Sequence, residues 1–283
     1  MKTSTPSVTP ELRAWIVAQA EAGFPPEDCL AALKNAGWPE GVAVDAMETV
    51  LSEHLVARGR PVPGRGHLPE PALAHSPSRL VVDGHEVRVL LSMKLPRVVV
   101  FGGLLSDGEC DELVALSRQR LARSETVVIE TGGSEVNTAR TSEGMFFERG
   151  EFDICSRIER RVGTLLNWPV DHGEGLQVLR YRPGAEYKPH YDYFDPAQPG
   201  TPTILARGGQ RVGTLVMYLN SPDQGGATTF PDVGLEVAPV KGNAVFFSYN
   251  APHPSTRTLH GGAPVIAGEK WVATKWLRER VFR

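Results

Sequence analysis

The chain has 283 residues, of which 41% are hydrophobic and 22% are charged, and its formal net charge at pH 7 is −3. This composition is typical of a soluble globular protein, with enough chain for one large domain and a small one. The charge gives no electrostatic basis for binding nucleic acid or an anionic membrane, and no apolar run approaches the roughly 20 residues that span a bilayer.

Cysteine usage and the first residues of the chain both favour a cytoplasmic protein. Cys29, Cys110 and Cys155 are widely spaced and form no CxxC pair, which argues against a disulfide framework and against a zinc ribbon. The segment MKTSTPSVTPELRAW has one lysine and no apolar core of the kind found in secretory signals. We therefore expect reduced cysteines and a cytoplasmic location.

Residues 1–57 are predicted to form a small three-helix module. Thr9 can cap the first helix, with Pro10 in the first turn, where a missing N–H is tolerated. A Gly-Phe-Pro-Pro break precedes the second helix, which ends at Gly37. Apolar residues recur at helical spacing in the third helix: Met47, Val50, Leu51 and Leu55. The module resembles the ubiquitin-associated type, which would let it bind a protein; a small helical bundle without a specific role is the alternative.

A change of composition separates this module from the rest of the chain. Residues 58–79 are rich in proline and glycine and predict a linker or a loosely draped segment. In residues 80–283, Ser106 and Glu109 have capping-box spacing at the start of one helix, and 152–166 has one apolar face. Short strands are predicted after these helices, at 176–181, 212–219, 243–249 and 270–277. This order indicates an α+β domain built on a sandwich or a double-stranded barrel.

The segment YKPHYDYF contains a candidate pair of metal ligands. If it is extended, His190 and Asp192 point to the same face of the strand. A mononuclear Fe(II) site of the 2-His-1-carboxylate type needs one further histidine. Two neutral imidazoles and one carboxylate leave half of an octahedron open, where a bidentate cosubstrate and dioxygen can bind side by side.

The further histidine is either His253 or His260. An open iron site with a dicarboxylic cosubstrate needs a buried cation for the far carboxylate, and Lys270 follows His260 by ten residues at the start of KWVATKWL. On an extended strand Lys270 and Trp276 share one face, which would place both in the barrel interior. This spacing favours His260 over His253.

Three segments together resemble the catalytic core of the prolyl 4-hydroxylases: LQVLRYRPGAEYKPHYDYF, RVGTLVMYLNSPDQGGATTFP and LHGGAPVIAGEKWVATKWLRE. The resemblance extends over roughly 95–278. It implies a double-stranded β-helix (jelly-roll) core with flanking helices, in a 2-oxoglutarate- and Fe(II)-dependent dioxygenase. It also implies dioxygen as a cosubstrate, ascorbate as a candidate reductant, and C4 hydroxylation of a prolyl residue in a peptide or protein, with release of succinate and CO2.

The resemblance also implies roles for individual residues. Those expected to ligate the metal are His190, Asp192 and His260. Lys270 and Tyr181 are expected to bind the far carboxylate of 2-oxoglutarate, and Thr214 is expected to line its pocket. Those expected on the substrate side are Tyr187, Arg211, Trp276, Glu174 and Arg140.

Other functions remain open from the sequence. The same scaffold would suit a hydroxylase of a free amino acid or another small molecule. A non-catalytic metal-binding barrel, or a structural zinc barrel, would keep the fold without turnover. The collagen-directed enzymes of the family carry extra peptide-binding segments and secretory features that this chain lacks, which argues against a collagen substrate. The N-terminal module, if it recruits a protein, favours a macromolecular substrate.

Overall fold

The structure is a computed structural model that describes residues 8–57, 68–123, 126–127, 134–135 and 141–283. The chain divides into two units, Met1–Gly66 and His67–Arg283. Within the described ranges, no helix has the length and apolarity that crossing a membrane requires.

The first unit contains the three helices that its sequence predicts. They are α1 (Pro10–Glu21), α2 (Pro26–Asn35) and α3 (Glu40–Ala57). Thr9 caps α1, since its Oγ1 accepts a hydrogen bond from the backbone N–H of Leu12 at 3.3 Å. The buried side chains that hold the helices together are Ile16, Cys29, Leu33, Ala43, Met47 and Val50. The unit thus has an apolar core of its own.

In its described residues, the second unit contains the two helices predicted from the sequence and a third, short one that was not predicted. Its helices are α4 (Asp107–Ser117), α5 (Asp153–Leu165) and α6 (Thr201–Ala206). At the start of α4, the Ser106 hydroxyl accepts from the Glu109 N–H at 3.2 Å, and the Ser106 N–H donates to the Glu109 carboxylate at 2.9 Å. This reciprocal pair is the predicted capping box. The α5 face that is apolar in sequence is buried: Ile154, Ile158, Val162 and Leu165.

Short antiparallel strands form the core of the second unit. In chain order they are β1 (Arg79–Val82), β2 (His85–Met93), β3 (Arg97–Gly102), β4 (Ala122–Arg123), β5 (Thr126–Val127), β6 (Ser134–Glu135), β7 (Glu143–Phe147), β8 (Leu176–Tyr181), β9 (Tyr187–His190), β10 (Arg211–Tyr218), β11 (Gln224–Gly225), β12 (Thr228–Phe230), β13 (Leu235–Val237), β14 (Ala244–Ser248), β15 (His260–Gly262), β16 (Val265–Ala267) and β17 (Lys270–Arg278). The four strands predicted from the sequence correspond to β8, β10, β14 and β17.

Two of the sheets face each other, and the side chains between them form the interior of the unit. The larger has the order β1-β2-β3-β14-β10-β17-β8-β7-β4, and the smaller has the order β13-β12-β15-β9. On β17, Trp271 belongs to the core that packs on Leu113 and Ile158 of the helices. Its neighbour Val272 belongs to a second core, with Phe230 of the smaller sheet. This alternation confirms the predicted α+β class, with helices on the outer face of an antiparallel core.

The second half of the predicted linker packs on the second unit. Pro69 and Pro71 are buried, the N–H of Glu70 donates to the carbonyl of Leu166 at 2.8 Å, and the Glu70 carboxylate pairs with Arg97. At 68–78, burial of the proline rings therefore holds the segment against the second unit, which favours the draped alternative over a free linker. The first half, 58–67, lies outside the described residues.

Candidate metal centre

Two neighbouring strands of the smaller sheet bring the predicted ligands together. His190 at the end of β9 pairs with His260 at the start of β15, and Asp192 follows just after β9. One ligand atom from each residue lies within 4.8 Å of the other two. The Asp192 carboxylate is 3.5 Å from Nε2 of each imidazole. His253 is elsewhere and caps a short 3₁₀ turn through its own ring, so the structure brings His260, not His253, to the site.

Backbone carbonyls fix the tautomer of both histidines. Nδ1 of His190 lies 2.9 Å from the carbonyl oxygen of Lys188, and Nδ1 of His260 lies 3.0 Å from that of Thr258. A carbonyl oxygen only accepts, so each Nδ1 carries the hydrogen and each Nε2 presents its lone pair to the site. Burial lowers the pKa of His260 to about 4, and this ring is therefore neutral at pH 7. Neutral imidazole is the form that binds a metal.

The carboxylate is held by two strands of the larger sheet. Asp192 Oδ2 accepts from Thr214 Oγ1 at 2.7 Å and from Trp276 Nε1 at 3.0 Å. Thr214 on β10 and Trp276 on β17 are direct cross-strand partners, so both reach one oxygen. Burial opposes ionisation, but neighbouring positive charge, including that of Arg211, outweighs it and holds the pKa of the Asp192 carboxyl below its usual range. Asp192 is consequently an oriented carboxylate at neutral pH.

A pocket opens from these three residues and contains a buried lysine. Its lining comprises Leu179, Tyr181, Tyr187, His190, Asp192, Thr214, Val216, Thr228, His260, Gly261, Gly262, Lys270, Val272, Thr274 and Trp276. The alternating residues of β17 from Lys270 to Trp276 are all present, as the strand period requires.

Lys270 is the cation of this pocket. It is 4% exposed, and burial lowers its pKa to about 8. Its Nζ lies 5.4 Å from the ring centroid of Tyr181, its cross-strand partner, and 5.9 Å from that of Tyr218. In the described part of the chain no carboxylate pairs with it. A buried ammonium without a counter-ion favours an anionic ligand.

Two of the residues predicted on the substrate side line the same pocket. The Tyr187 ring stacks on the His190 ring, with centroids 3.7 Å apart. Trp276 lines the pocket and also donates to Asp192, a contact that the sequence did not suggest. Both side chains therefore lie beside the candidate metal ligands.

Glu174 and Arg211, also predicted on the substrate side, do not line this pocket. Arg211 Nε is 2.7 Å from the Glu174 carboxylate, and Arg278 Nε is 2.6 Å from it. The Arg211 guanidinium lies 4.0 Å from the Trp276 ring centroid. The two residues form a buried ion-pair cluster that packs on Trp276. Arg140, the remaining prediction, lies outside the described residues.

Sequence reasoning missed two residues next to the site. Arg278 continues the alternation of β17 beyond Trp276, so the same period could have identified it. Tyr249 lies 3.1 Å from Thr214, hydroxyl to hydroxyl, and no motif marks it. Tyr249 lies beside Thr214 because β14 pairs with β10, and local sequence does not reveal this pairing.

The sequence is similar to those of known oxygenases and prolyl 4-hydroxylases. A family model described as the 2OG-Fe(II) oxygenase superfamily matches residues 176–278. Prolyl 4-hydroxylase 2 of Arabidopsis thaliana is 38% identical over 234 residues, which is 74% of this chain and 75% of that protein. Prolyl 4-hydroxylase 1 of the same plant is 41% identical over 202 residues, covering 65% and 70%.

A solved structure is also similar. It is the viral collagen prolyl hydroxylase from Paramecium Bursaria Chlorella virus-1, determined as a 2OG complex, with 31% sequence identity and a TM-score of 0.50. The match covers 64% of this chain and 95% of that one. It agrees with the jelly-roll core predicted for residues 80–283.

Proposed function

The chain belongs to the prolyl 4-hydroxylase family of the 2OG-Fe(II) oxygenase superfamily, and we propose that it hydroxylates prolyl residues of a peptide or protein at C4. It is a 2-oxoglutarate-dependent dioxygenase that uses Fe(II). One observation carries the proposal: the His-Asp-His set opens onto the pocket that contains the unpaired Lys270.

The residues present fit Fe(II). Two imidazole Nε2 lone pairs and one carboxylate are the donor set of mononuclear non-haem iron sites, and we propose that His190, Asp192 and His260 hold the metal. Bound there, Fe(II) supplies the dioxygen activation that couples decarboxylation of 2-oxoglutarate to succinate and CO2 with hydroxylation of a C–H bond. Ascorbate, expected from the family resemblance, would act as a reductant.

The pocket residues then have separable tasks. Lys270 would pair with the far carboxylate of 2-oxoglutarate, and this pairing would raise its pKa and keep the ammonium charged. Tyr181, directly across the sheet from Lys270, would hydrogen-bond the same carboxylate. Thr214 lines the pocket, but its single hydroxyl hydrogen goes to Asp192. We therefore propose that Thr214 orients the iron ligand.

Tyr187 and Trp276 would form the wall against which the prolyl ring lies. Their rings flank the proposed iron ligands, Tyr187 by stacking on His190 and Trp276 by its hydrogen bond to Asp192. Arg211 and Glu174 would support this wall through the contact of the Arg211 guanidinium with Trp276. Arg140 as a substrate contact stays a prediction, as does the cytoplasmic location.

The substrate class is tested with a matched pair of peptides. A proline-rich peptide, the same peptide with alanine at each proline, and free proline are each incubated with Fe(II), 2-oxoglutarate, ascorbate and air. We expect succinate release and the gain of one oxygen atom on proline only with the proline-rich peptide. Oxygenation of free proline but not of the peptide would instead establish the small-molecule alternative, and succinate without any oxygenated proline would refute proline hydroxylation in either form.

We further propose that the first unit binds a protein and is of the ubiquitin-associated type. Its own apolar core and the 53% exposed Phe24 in the turn between α1 and α2 support this. A titration of the whole chain with ubiquitin should show binding that Phe24→Ala weakens, while Val81→Ala, at an exposed valine of the second unit, should leave it unchanged. No binding to the unaltered chain would contradict the ubiquitin-associated assignment.

A further inference from the structure

A buried chain of hydroxyl groups leads from Tyr249 to the candidate iron ligand. The Tyr249 hydroxyl lies 3.1 Å from Thr214 Oγ1, which lies 2.7 Å from Asp192 Oδ2. Tyr249 is 3% exposed and Thr214 is fully buried. Both hydroxyls therefore depend on neighbouring protein groups for their hydrogen bonds.

The direction of the chain follows from counting hydrogens. Thr214 has one hydroxyl hydrogen, and the Asp192 carboxylate can only accept it. The contact between the two hydroxyls must then use the hydrogen of Tyr249, with Thr214 accepting. Burial, and secondarily the charge of Asp192, raises the pKa of the Tyr249 phenol well above its ordinary value, so the phenol keeps this hydrogen. Tyr249 donates to Thr214, and Thr214 donates to Asp192.

Both donors of this arrangement act on the same carboxylate oxygen. Oδ2 accepts from Thr214 and from Trp276, whereas Oδ1 accepts no hydrogen bond from either. Oδ1 lies 3.5 Å from Nε2 of His190, and Oδ2 lies 3.5 Å from Nε2 of His260. Because the two donors use both lone pairs of Oδ2, Oδ1 is the oxygen left to bind a metal. A ligand set that leaves three coordination positions open needs this one-oxygen mode, because a carboxylate bound through both oxygens would occupy one of them.

We propose that Tyr249 is a positioning residue that acts through Thr214 to keep Asp192 a one-oxygen metal ligand. The inference rests on the proposed function, because it takes Asp192 as an iron ligand. The phenol has two physical effects. It uses the acceptor lone pair of Thr214 and thereby holds the hydroxyl in the rotamer that points to Asp192. It also polarises the Thr214 hydroxyl, which strengthens the bond to the carboxylate.

The backbone places Tyr249 for this task. Tyr249 follows directly after β14, and its N–H donates to the carbonyl of Val212 at 3.2 Å. β14 is paired with β10, where Gly213 faces Ser248 and Thr214 faces Phe247. The phenol therefore reaches the Thr214 side chain from the neighbouring strand, and Tyr249 does not itself line the pocket.

The test compares Tyr249→Phe with a matched control, Tyr218→Phe. Tyr218 is also a buried phenol that donates to a pocket threonine, Thr228, at 2.8 Å, but it has no contact with Asp192. Anaerobic titration with Fe(II) in the presence of 2-oxoglutarate, and with Co(II) alone, reports affinity and coordination through visible absorption. We expect Tyr249→Phe to bind both metals about 2- to 10-fold more weakly, the loss of one hydrogen bond, and to shift the bands. In the Co(II) titration, which contains no 2-oxoglutarate, Tyr218→Phe should leave metal affinity and bands unchanged.

A double substitution tests whether the effect passes through Thr214. Thr214→Val removes both hydrogen bonds of the hydroxyl, so adding Tyr249→Phe to it should cause no further loss of metal affinity. A full further loss in the Thr214→Val background, or unchanged affinity and bands in Tyr249→Phe alone, would overturn the proposal while leaving the proposed function intact. If the unaltered chain binds no Fe(II) at this site, both this proposal and the proposed function are refuted.

Discussion

Lys270→Met should make the metal-free, 2-oxoglutarate-free protein more stable while it abolishes tight binding of 2-oxoglutarate. Methionine keeps the unbranched length of lysine and loses the charge. The Lys270 ammonium is 4% exposed and has no carboxylate partner in the described part of the chain. Without its anion it is thus a buried charge that the fold must tolerate.

The magnitude follows from the pKa. Burial lowers it from 10.5 to about 8, which at about 1.4 kcal/mol per pH unit corresponds to roughly 3 kcal/mol. Because the folded state binds the proton less tightly than the unfolded state, this cost is complete below pH 8. It disappears as the pH rises from about 8 towards 10.5. The stabilisation of Lys270→Met should therefore be largest at pH 7 and small at pH 10.

The assay is urea unfolding of the metal-free protein at both pH values, with Lys94→Met as the control at an exposed lysine. Binding of 2-oxoglutarate is followed by the visible charge-transfer band of the anaerobic Fe(II) complex. Loss of a buried charge partner costs more than about 2 kcal/mol, so we expect affinity to fall at least 10-fold. The reasoning is refuted if Lys270→Met is less stable than the Lys94→Met control at pH 7, or if it binds 2-oxoglutarate normally.

Three further predictions concern other contacts. The pKa of buried His260 is lowered from 6.5 to about 4, so the metal-free protein should lose stability as the pH falls from 6.5 to 4. In urea unfolding, His260→Gln should reduce this loss, and an identical pH profile for the variant and the unaltered protein would contradict the prediction. Lys275 pairs with Glu159 at 2.5 Å, and both side chains are nearly inaccessible to solvent. Lys275→Met should therefore lower the free energy of unfolding by about 3–5 kcal/mol, and adding Glu159→Gln should restore part of that stability. A Lys275→Met variant of unchanged stability would argue against a charged pair. Trp276→Phe removes one donor to Asp192 and should weaken Fe(II) binding about 2- to 10-fold in the anaerobic titration; unchanged affinity would show that the bond does not hold the carboxylate.

Short-range patterns in the sequence were sufficient for much of the second unit. The capping box at Ser106 and the apolar face of α5 depend on residues three or four apart, and both are present. The period of two along β17 correctly put Lys270 and Trp276 on one pocket-lining face. These patterns are local because a helix or strand repeats its geometry within a few residues.

Side-chain contacts between different strands could not be predicted from such short-range patterns. Thr214 was predicted only to line the cosubstrate pocket, but its hydroxyl donates to Asp192 and accepts from Tyr249. Glu174 was expected to face the substrate, yet it lies buried between Arg211 and Arg278. Each of these contacts depends on which strand lies beside which and in what register, and register is a property of the assembled sheet.

The sequence by itself determined the chemical elements of the site. Residue types and spacing identified the His-Asp-His set, the choice of His260 over His253 and the cation Lys270, because metal and carboxylate binding need particular donors wherever they occur. Only the tertiary structure decided which oxygen of Asp192 is free and which histidine nitrogen bears the hydrogen. Those properties arise from hydrogen bonds between strands distant in the chain, and they exist only when β9, β10, β15 and β17 are packed together.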